Sequence, residues 1–193
     1  YFRQWSLEND GTFPSWNLGT ADADIDMEAA WDITQGSSSV TVGILDTGLK
    51  LDHPEFEDRI WINWIELDDD IDNDGNGFID DFNGWDFVNE DNDPYDDQGH
   101  GSSVGGILGA TGNNSIGYAG IDWNCRLMSL KILNEDNSGY YSWWTDAIYY
   151  ATNNGANILN MSVGGSSFSN SMGVAVDYAH ASGVTIFACM MNE

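Results

Sequence analysis

Two short segments carry side chains able to do acid–base chemistry. The run Val40-Thr-Val-Gly-Ile-Leu-Asp-Thr-Gly48 reads as a buried strand, yet it ends on a carboxylate, Asp46, and turns sharply at Thr47-Gly48. An unpaired buried carboxylate costs several kcal/mol, so Asp46 is either solvated in a cleft or paired. The carboxyl ends of strands in an open parallel sheet form the crevice where ligands bind. The second segment, Asp97-Gln-Gly-His-Gly-Ser-Ser-Val-Gly-Gly-Ile107, sets His100 between two glycines at the start of a predicted helix. Each glycine costs a helix up to ~1 kcal/mol against alanine, so this backbone must lie close to its neighbours or to a substrate. A histidine beside a strand-end aspartate is held in one tautomer and can act as a general base. His53, in the turn LDHPEF, and His180, in DYAHASG, read instead as structural or solvated.

A third pattern concerns metal chemistry. Residues 66–97 hold 14 Asp and Glu and no Lys, Arg or His. Such a run is ordinarily a solvated acidic loop. Within it, however, Asp70-Ile-Asp-Asn-Asp-Gly-Asn-Gly-Phe-Ile-Asp-Asp81 follows calcium-loop spacing. Oxygens fall at Asp70, Asp72, Asp74, the Asn76 carbonyl and the twelfth residue, Asp81, with Gly75 at the sixth position, where the loop turns. Hard oxygen donors favour calcium over zinc, and no Cys/His cluster exists for the latter. The loop is EF-like in spacing only, since no flanking helix pair is evident.

These residues need a scaffold. The 193 residues read as one domain, with an irregular lead over 1–24 and an acidic loop region over 51–98. Asp26 is placed to cap a short helix, MEAAWDI, which Gly36 would end. Strand candidates are VTVGILD, CRLMSLKIL, ANILNMSVGG and VTIFACM. Between them lie a helix in SWWTDAIYYATNNG, with Trp144, Ile148 and Ala151 on one face, and another in FSNSMGVAVDYAHASG, ended by Gly183. Apolar strands alternating with helices predict an α/β fold, a doubly wound parallel sheet with helices on both faces. Lys and Arg total 5 against 32 Asp and Glu, a net charge of −27. That surface repels phosphate backbones and anionic lipid, which argues against nucleic-acid and membrane partners. No apolar run is long enough to span a bilayer and no signal-peptide pattern is present. Tyr1 in place of Met suggests a processed or excised chain. Cys125 and Cys189 could pair, but nothing in the sequence places them together, and Cys189, in TIFACM, reads rather as a free buried thiol.

VTVGILDTGLKLDHPEF, DDQGHGSSVGGILGATGNN and ANILNMSVGG resemble, in order and spacing, three signatures of the subtilisin-like serine peptidases. IFACMMNE resembles a degraded fourth. The resemblance implies that Asp46 orients the imidazole of His100, the general base, and that Asn192 is a side-chain oxyanion donor. It implies a polypeptide substrate bound as an extended strand between Ser138-Gly139-Tyr140 and Ser162-Val163-Gly164-Gly165. It also implies two further calcium sites. One, like that of thermitase-like members, uses Asp86, Asn89, Asp91 and Asp93; the other uses Glu55, Asn114 and the carbonyls of Ile116 and Tyr118. Ser103 replaces a second histidine of the family pattern, and Met190-Met191 replace small residues before Asn192. The family's nucleophile, in a Gly-Thr-Ser-Met-Ala-like segment, has no counterpart here. The expectation is therefore a partial catalytic domain whose serine lies beyond Glu193, inactive alone, from a secreted or cell-surface endopeptidase that an inhibitory prodomain accompanies. The rival expectation is a pseudo-protease that binds peptides on a calcium scaffold.

Overall fold

The computed structural model describes residues 4–12 and 19–190. In chain order the elements are α1 (Met27–Trp31), β1 (Thr41–Asp46), a 3-10 turn (Pro54–Phe56), β2 (Gly84–Asp86), α2 (His100–Gly109) and β3 (Arg126–Lys131). After them come α3 (Tyr141–Asn153), β4 (Ile158–Met161), α4 (Asn170–Ala181) and β5 (Thr185–Ala188). The strands form one sheet in the order β2-β3-β1-β4-β5, and every pairing is parallel. The predicted doubly wound α/β architecture is the one observed. β1 lies at its centre and all six of its residues are buried, which is why its sequence runs apolar without alternation.

The two faces of the sheet are covered by different helices. Val42 and Ile44 of β1 and Leu127 of β3 pack with Phe56 and with Val104 and Leu108 of α2. On the other face Leu45, Met128, Leu130 and Leu159 pack with Trp144, Ala147, Ile148 and Ala151 of α3 and with Ala175 and Ala179 of α4. The predicted apolar stripe of α3 is thus its buried face. The Ser169 hydroxyl accepts from the Met172 amide to cap α4, and Gly183, at φ 87°, follows its end.

Four expectations need correction. Asp26 occupies the position before α1 but has φ 53° and makes no side-chain cap. The Asp24 carboxylate accepts the Asp26 amide at 2.8 Å, and the Leu7 carbonyl accepts the Met27 amide, so the lead segment takes over the capping role. The helix ends at Trp31, well short of Gly36. The acidic region is not strand-free: Gly84–Asp86 forms the edge strand β2 beside β3. Finally, β5 is an edge strand with Phe187 59% exposed, and Cys189 is exposed rather than buried.

Candidate active site

β1 marks the switch point of the sheet, with β3 on one side and β4 on the other. Loops leaving the carboxyl ends of these strands therefore diverge around Asp46, and the crevice expected of such a sheet opens there. The turn after Asp46 needs Gly48, at φ 103°, because a Cβ would come within 2.6 Å of the Pro94 carbonyl oxygen. The Leu49 amide donates to that same carbonyl, which fastens the loop leading to His100 beside β1.

The structure brings Asp46 and His100 together. His100 Nδ1 lies 2.7 Å from Asp46 Oδ1, which also accepts the Thr47 amide at 2.8 Å. Asp46 is fully buried and its Oδ2 has no hydrogen-bond partner. Burial pushes its carboxyl above the usual value, and the bonds from His100 and Thr47 oppose that rise. His100 itself is partly exposed, its side chain 39%. It opens into a cavity of about 760 Å³ lined by Ser138 and Gly139 on one side and Ser162 to Gly165 on the other. Tyr140, predicted with Ser138 and Gly139, is not part of that lining; it is 68% exposed and packs edge-on against Trp143. Tyr141, Trp144 and Cys189 line the cavity instead. Gly139 is required by close approach, since a Cβ there would collide with the Ile132 carbonyl oxygen. Met191 and Asn192 lie outside the described residues.

Around this pair the structure adds groups that the sequence reading passed over. Thr47 Oγ1 donates to Asp96 Oδ1 at 2.8 Å and accepts the Gly101 amide at 2.9 Å. The buried Lys131 ammonium donates to the Thr47 and Leu133 carbonyls and to Asp97 Oδ1. Thr47 stands directly after Asp46, and Asp96 four residues before His100, so their places in the chain were the available signal.

The three acidic sites differ in geometry. In the first loop, the carboxylates of Asp72, Asp74 and Glu66 gather with oxygens within 4.8 Å of one another. Glu66 was not predicted, and Asp70 and Asp81 are not members of this group. The Asp70 amide donates to Asp80 Oδ2. Asp81 is buried and accepts from Asn63, Asn76 and Tyr150, the last at 2.5 Å. Burial raises the Asp81 carboxyl despite these bonds, and it also raises the Tyr150 hydroxyl. In the second, Asp86 Oδ1 accepts the Val88 and Asn89 amides and Oδ2 accepts the Asn89 side chain. Asp91 and Asp93 of that set are exposed. In the third, Glu55 is 5% exposed; Oε2 accepts from Asn114 Nδ2, while Oε1 is buried without a partner beneath Gly117. An orphaned buried carboxylate oxygen from the 3-10 turn, facing the loop that carries Asn114, Ile116 and Tyr118, fits a hard cation. The Glu66, Asp72 and Asp74 oxygens fit one as well, since three carboxylates this close repel one another without it.

A sequence model described as the subtilase family, peptidase S8, matches residues 37–193. The chain is 33% identical over 164 residues to a thermophilic serine proteinase of Bacillus sp. strain AK1, a match covering 85% of this chain and 36% of that protein. It is 34% identical over 180 residues to subtilisin-like protease 1 of Plasmodium berghei, covering 92% and 30% respectively. With thermitase of Thermoactinomyces vulgaris it shares 30% identity over 184 residues, covering 95% of this chain and 57% of thermitase. The chain thus spans between about a third and a little over half of the length of these relatives.

Proposed function

The chain belongs to the subtilase family, and we propose that it forms part of the catalytic domain of a calcium-stabilised serine endopeptidase that acts outside the cell. The observation that carries this reading is the 2.7 Å pair of His100 and Asp46 at a cavity lined by Ser138-Gly139 on one side and Ser162 to Gly165 on the other. Asp46 accepts the Nδ1 proton, so the neutral ring presents Nε2 as the acceptor. His100 takes the proton of a serine hydroxyl supplied from outside these residues as that oxygen attacks the scissile carbonyl. It then returns the proton to the leaving amine. Buried Asp46 stabilises the imidazolium that forms between the two transfers. The side-chain amide of Asn192 donates to the oxyanion.

A polypeptide lying between Ser138-Gly139 and Ser162-Gly165 adds a strand and gains main-chain hydrogen bonds on both sides. Calcium, when bound, supplies positive charge that ties acidic loops down. Glu66, Asp72 and Asp74 would hold one ion, and Glu55, Asn114 and the Ile116 and Tyr118 carbonyls would hold another. An inhibitory prodomain is the natural occupant of the same cleft before maturation. Met190-Met191, bulky where the family has small residues, favours a second reading in which the protein binds peptides without cutting them. The full-length protein with a fluorogenic peptide decides between them. Wild type should turn over, and His100→Ala should lose ~100- to 10,000-fold in kcat. Saturable peptide binding with no turnover in wild type would establish the second reading.

A further inference from the structure

We propose that Asp96 is a positioning residue which sets Asp46 against His100; the proposal rests on the peptidase reading above. Its carboxylate is 8% exposed and fastens the backbone on both sides of the pair. Oδ1 accepts from Thr47 Oγ1 at 2.8 Å, the residue after Asp46, and from the Gln98 and Gly99 amides just before His100. Oδ2 accepts the Ser102 amide at 2.9 Å and the Ser102 hydroxyl at 2.5 Å, just beyond His100. Thr47 Oγ1 in turn accepts the Gly101 amide, so Asp96, Thr47, Gly101 and Ser102 form a closed ring with the pair at its edge. The Asp96 amide also donates to the Leu49 carbonyl, which anchors the ring to the turn after β1. Lys131 holds the other side of Thr47 through its carbonyl oxygen.

A plain capping role does not account for this arrangement. α2 starts at His100 with no side-chain cap from Gly99 and no acid in its first turn. Asp96 does supply negative charge to that helix end, where it is favourable. A cap alone would need only the amides of Gly99 and Ser102. The bond to Thr47 lies on a different element, and it fixes the distance between the strand bearing Asp46 and the helix bearing His100. Burial raises the Asp96 carboxyl, but the bonds from Ser102, Gly99 and Thr47 outweigh it and hold it below the ordinary carboxylate value. Asp96 is therefore charged while the site works.

The test uses the full-length protein and two readouts: kcat and KM for a peptide, and the low-field proton resonance of the Asp46–His100 hydrogen bond. Asp96→Asn is isosteric but turns a donor toward Ser102; it should lower kcat ~10- to 100-fold with KM nearly unchanged, and shift or broaden the resonance. Thr47→Val, which leaves the cap to Gly99 and Ser102 in place, should act in the same direction, and Thr47→Ser should restore wild-type behaviour. The double variant Asp96→Asn/Thr47→Val should be no worse than the poorer single, because both break one connection. If Asp96→Asn lowers only the melting temperature while kcat and the resonance stay as in wild type, Asp96 is a helix cap and the proposal falls. Full activity in His100→Ala would overturn the peptidase reading instead, and the resonance, which needs no turnover, would still report on Asp96.

Discussion

Two glycines of one helix should respond in opposite ways to the same substitution. Gly101, Gly105 and Gly109 form the buried side of α2, while a Cβ added at Gly106 would meet nothing within 4 Å. By helix propensity alone, Gly→Ala should stabilise either site by up to ~1 kcal/mol. At Gly106 that is the whole effect, and the melting temperature should rise by up to ~2–4 °C with activity unchanged. At Gly101 the new Cβ would land on the Gly48 carbonyl oxygen and come within 3.2 Å of Asp46 Oδ1. Relief requires α2 to retreat from the end of β1 by on the order of 1 Å to reach ordinary contact distance. Overpacking of this kind costs ~1–3 kcal/mol, so the propensity gain is cancelled or exceeded. The retreat lengthens the Asp46–His100 bond, and a 1 Å misplacement of reacting groups costs ~100-fold in rate. Melting curves and kcat/KM of the two full-length variants, measured side by side, check both halves. A Gly101→Ala protein that melts higher and cleaves as fast as wild type would refute the idea that close approach of α2 to β1 sets the catalytic geometry.

Under the calcium reading proposed above, EDTA should withdraw about 2.7 kcal/mol at a hundredfold excess of ion over Kd. That is roughly 5–10 °C in melting temperature for a domain of this size, together with new proteolytic cuts in residues 66–97, and Glu66→Gln should reproduce part of the loss. An unchanged curve and cutting pattern would count against the ion. Asp96, held below the ordinary carboxylate value, contributes stability present above its unfolded pKa and lost as pH falls through the folded one. Urea titrations below about pH 4 should therefore show a shallower acid loss of stability in Asp96→Asn than in wild type, and parallel losses would mean the carboxylate is not specifically stabilised. Thiol titration at neutral to mildly alkaline pH should count one fast equivalent, Cys189, because Cys125 is buried and its thiol is pushed up to about 11. Two fast equivalents in the folded protein would show that the Cys125 site opens.

The fold and the central pair were legible in the sequence because they rest on local signals. The apolar run ending at Asp46, the glycines around His100 and the stripe Trp144, Ile148, Ala151 each follow from a strand or helix period. The glycine pattern also foretold its cause, since a Cβ at Gly105 would meet Leu49 and Phe56 and one at Gly109 would meet Leu127 at van der Waals range or closer. What escaped the reading depends on partners distant in sequence. β2 is three residues long and exists because β3 offers an edge at Ser129 to Lys131. The Asp26 cap failed because its own amide donates to Asp24, the Met27 amide donates to Leu7, and its backbone is left-handed at φ 53°, not extended as an N-cap ordinarily is. Glu66 lies outside the twelve-residue spacing and joins Asp72 and Asp74 only through the path of the folded loop, where it also accepts the Asn73, Asp74 and Asp80 amides.

Those amide bonds resolve how so acidic a segment holds one shape. Within residues 66–97 carboxylates repeatedly close turns on nearby amides: Asp72 on Gly75, Asn76 and Gly77, Asp86 on Val88 and Asn89, Asp91 on Asp93. Such bonds satisfy lone pairs and fix direction, but an amide carries no net charge. Against 14 carboxylates in the segment, the ion pair found among the described residues is that of Lys131 with Asp97. Geometry and charge balance are thus supplied separately. Backbone amides define where Glu66, Asp72 and Asp74 point, and under the calcium reading proposed above a cation from solvent would supply the neutralisation. Asp81 of the same loop is bonded to Tyr150 on α3, and the first turns of α3 place Tyr141 and Trp144 in the cavity beside His100. The helix that lines the cavity beside His100 is thus bonded directly to the acidic loop, so a cation bound there would be expected to steady α3 as well.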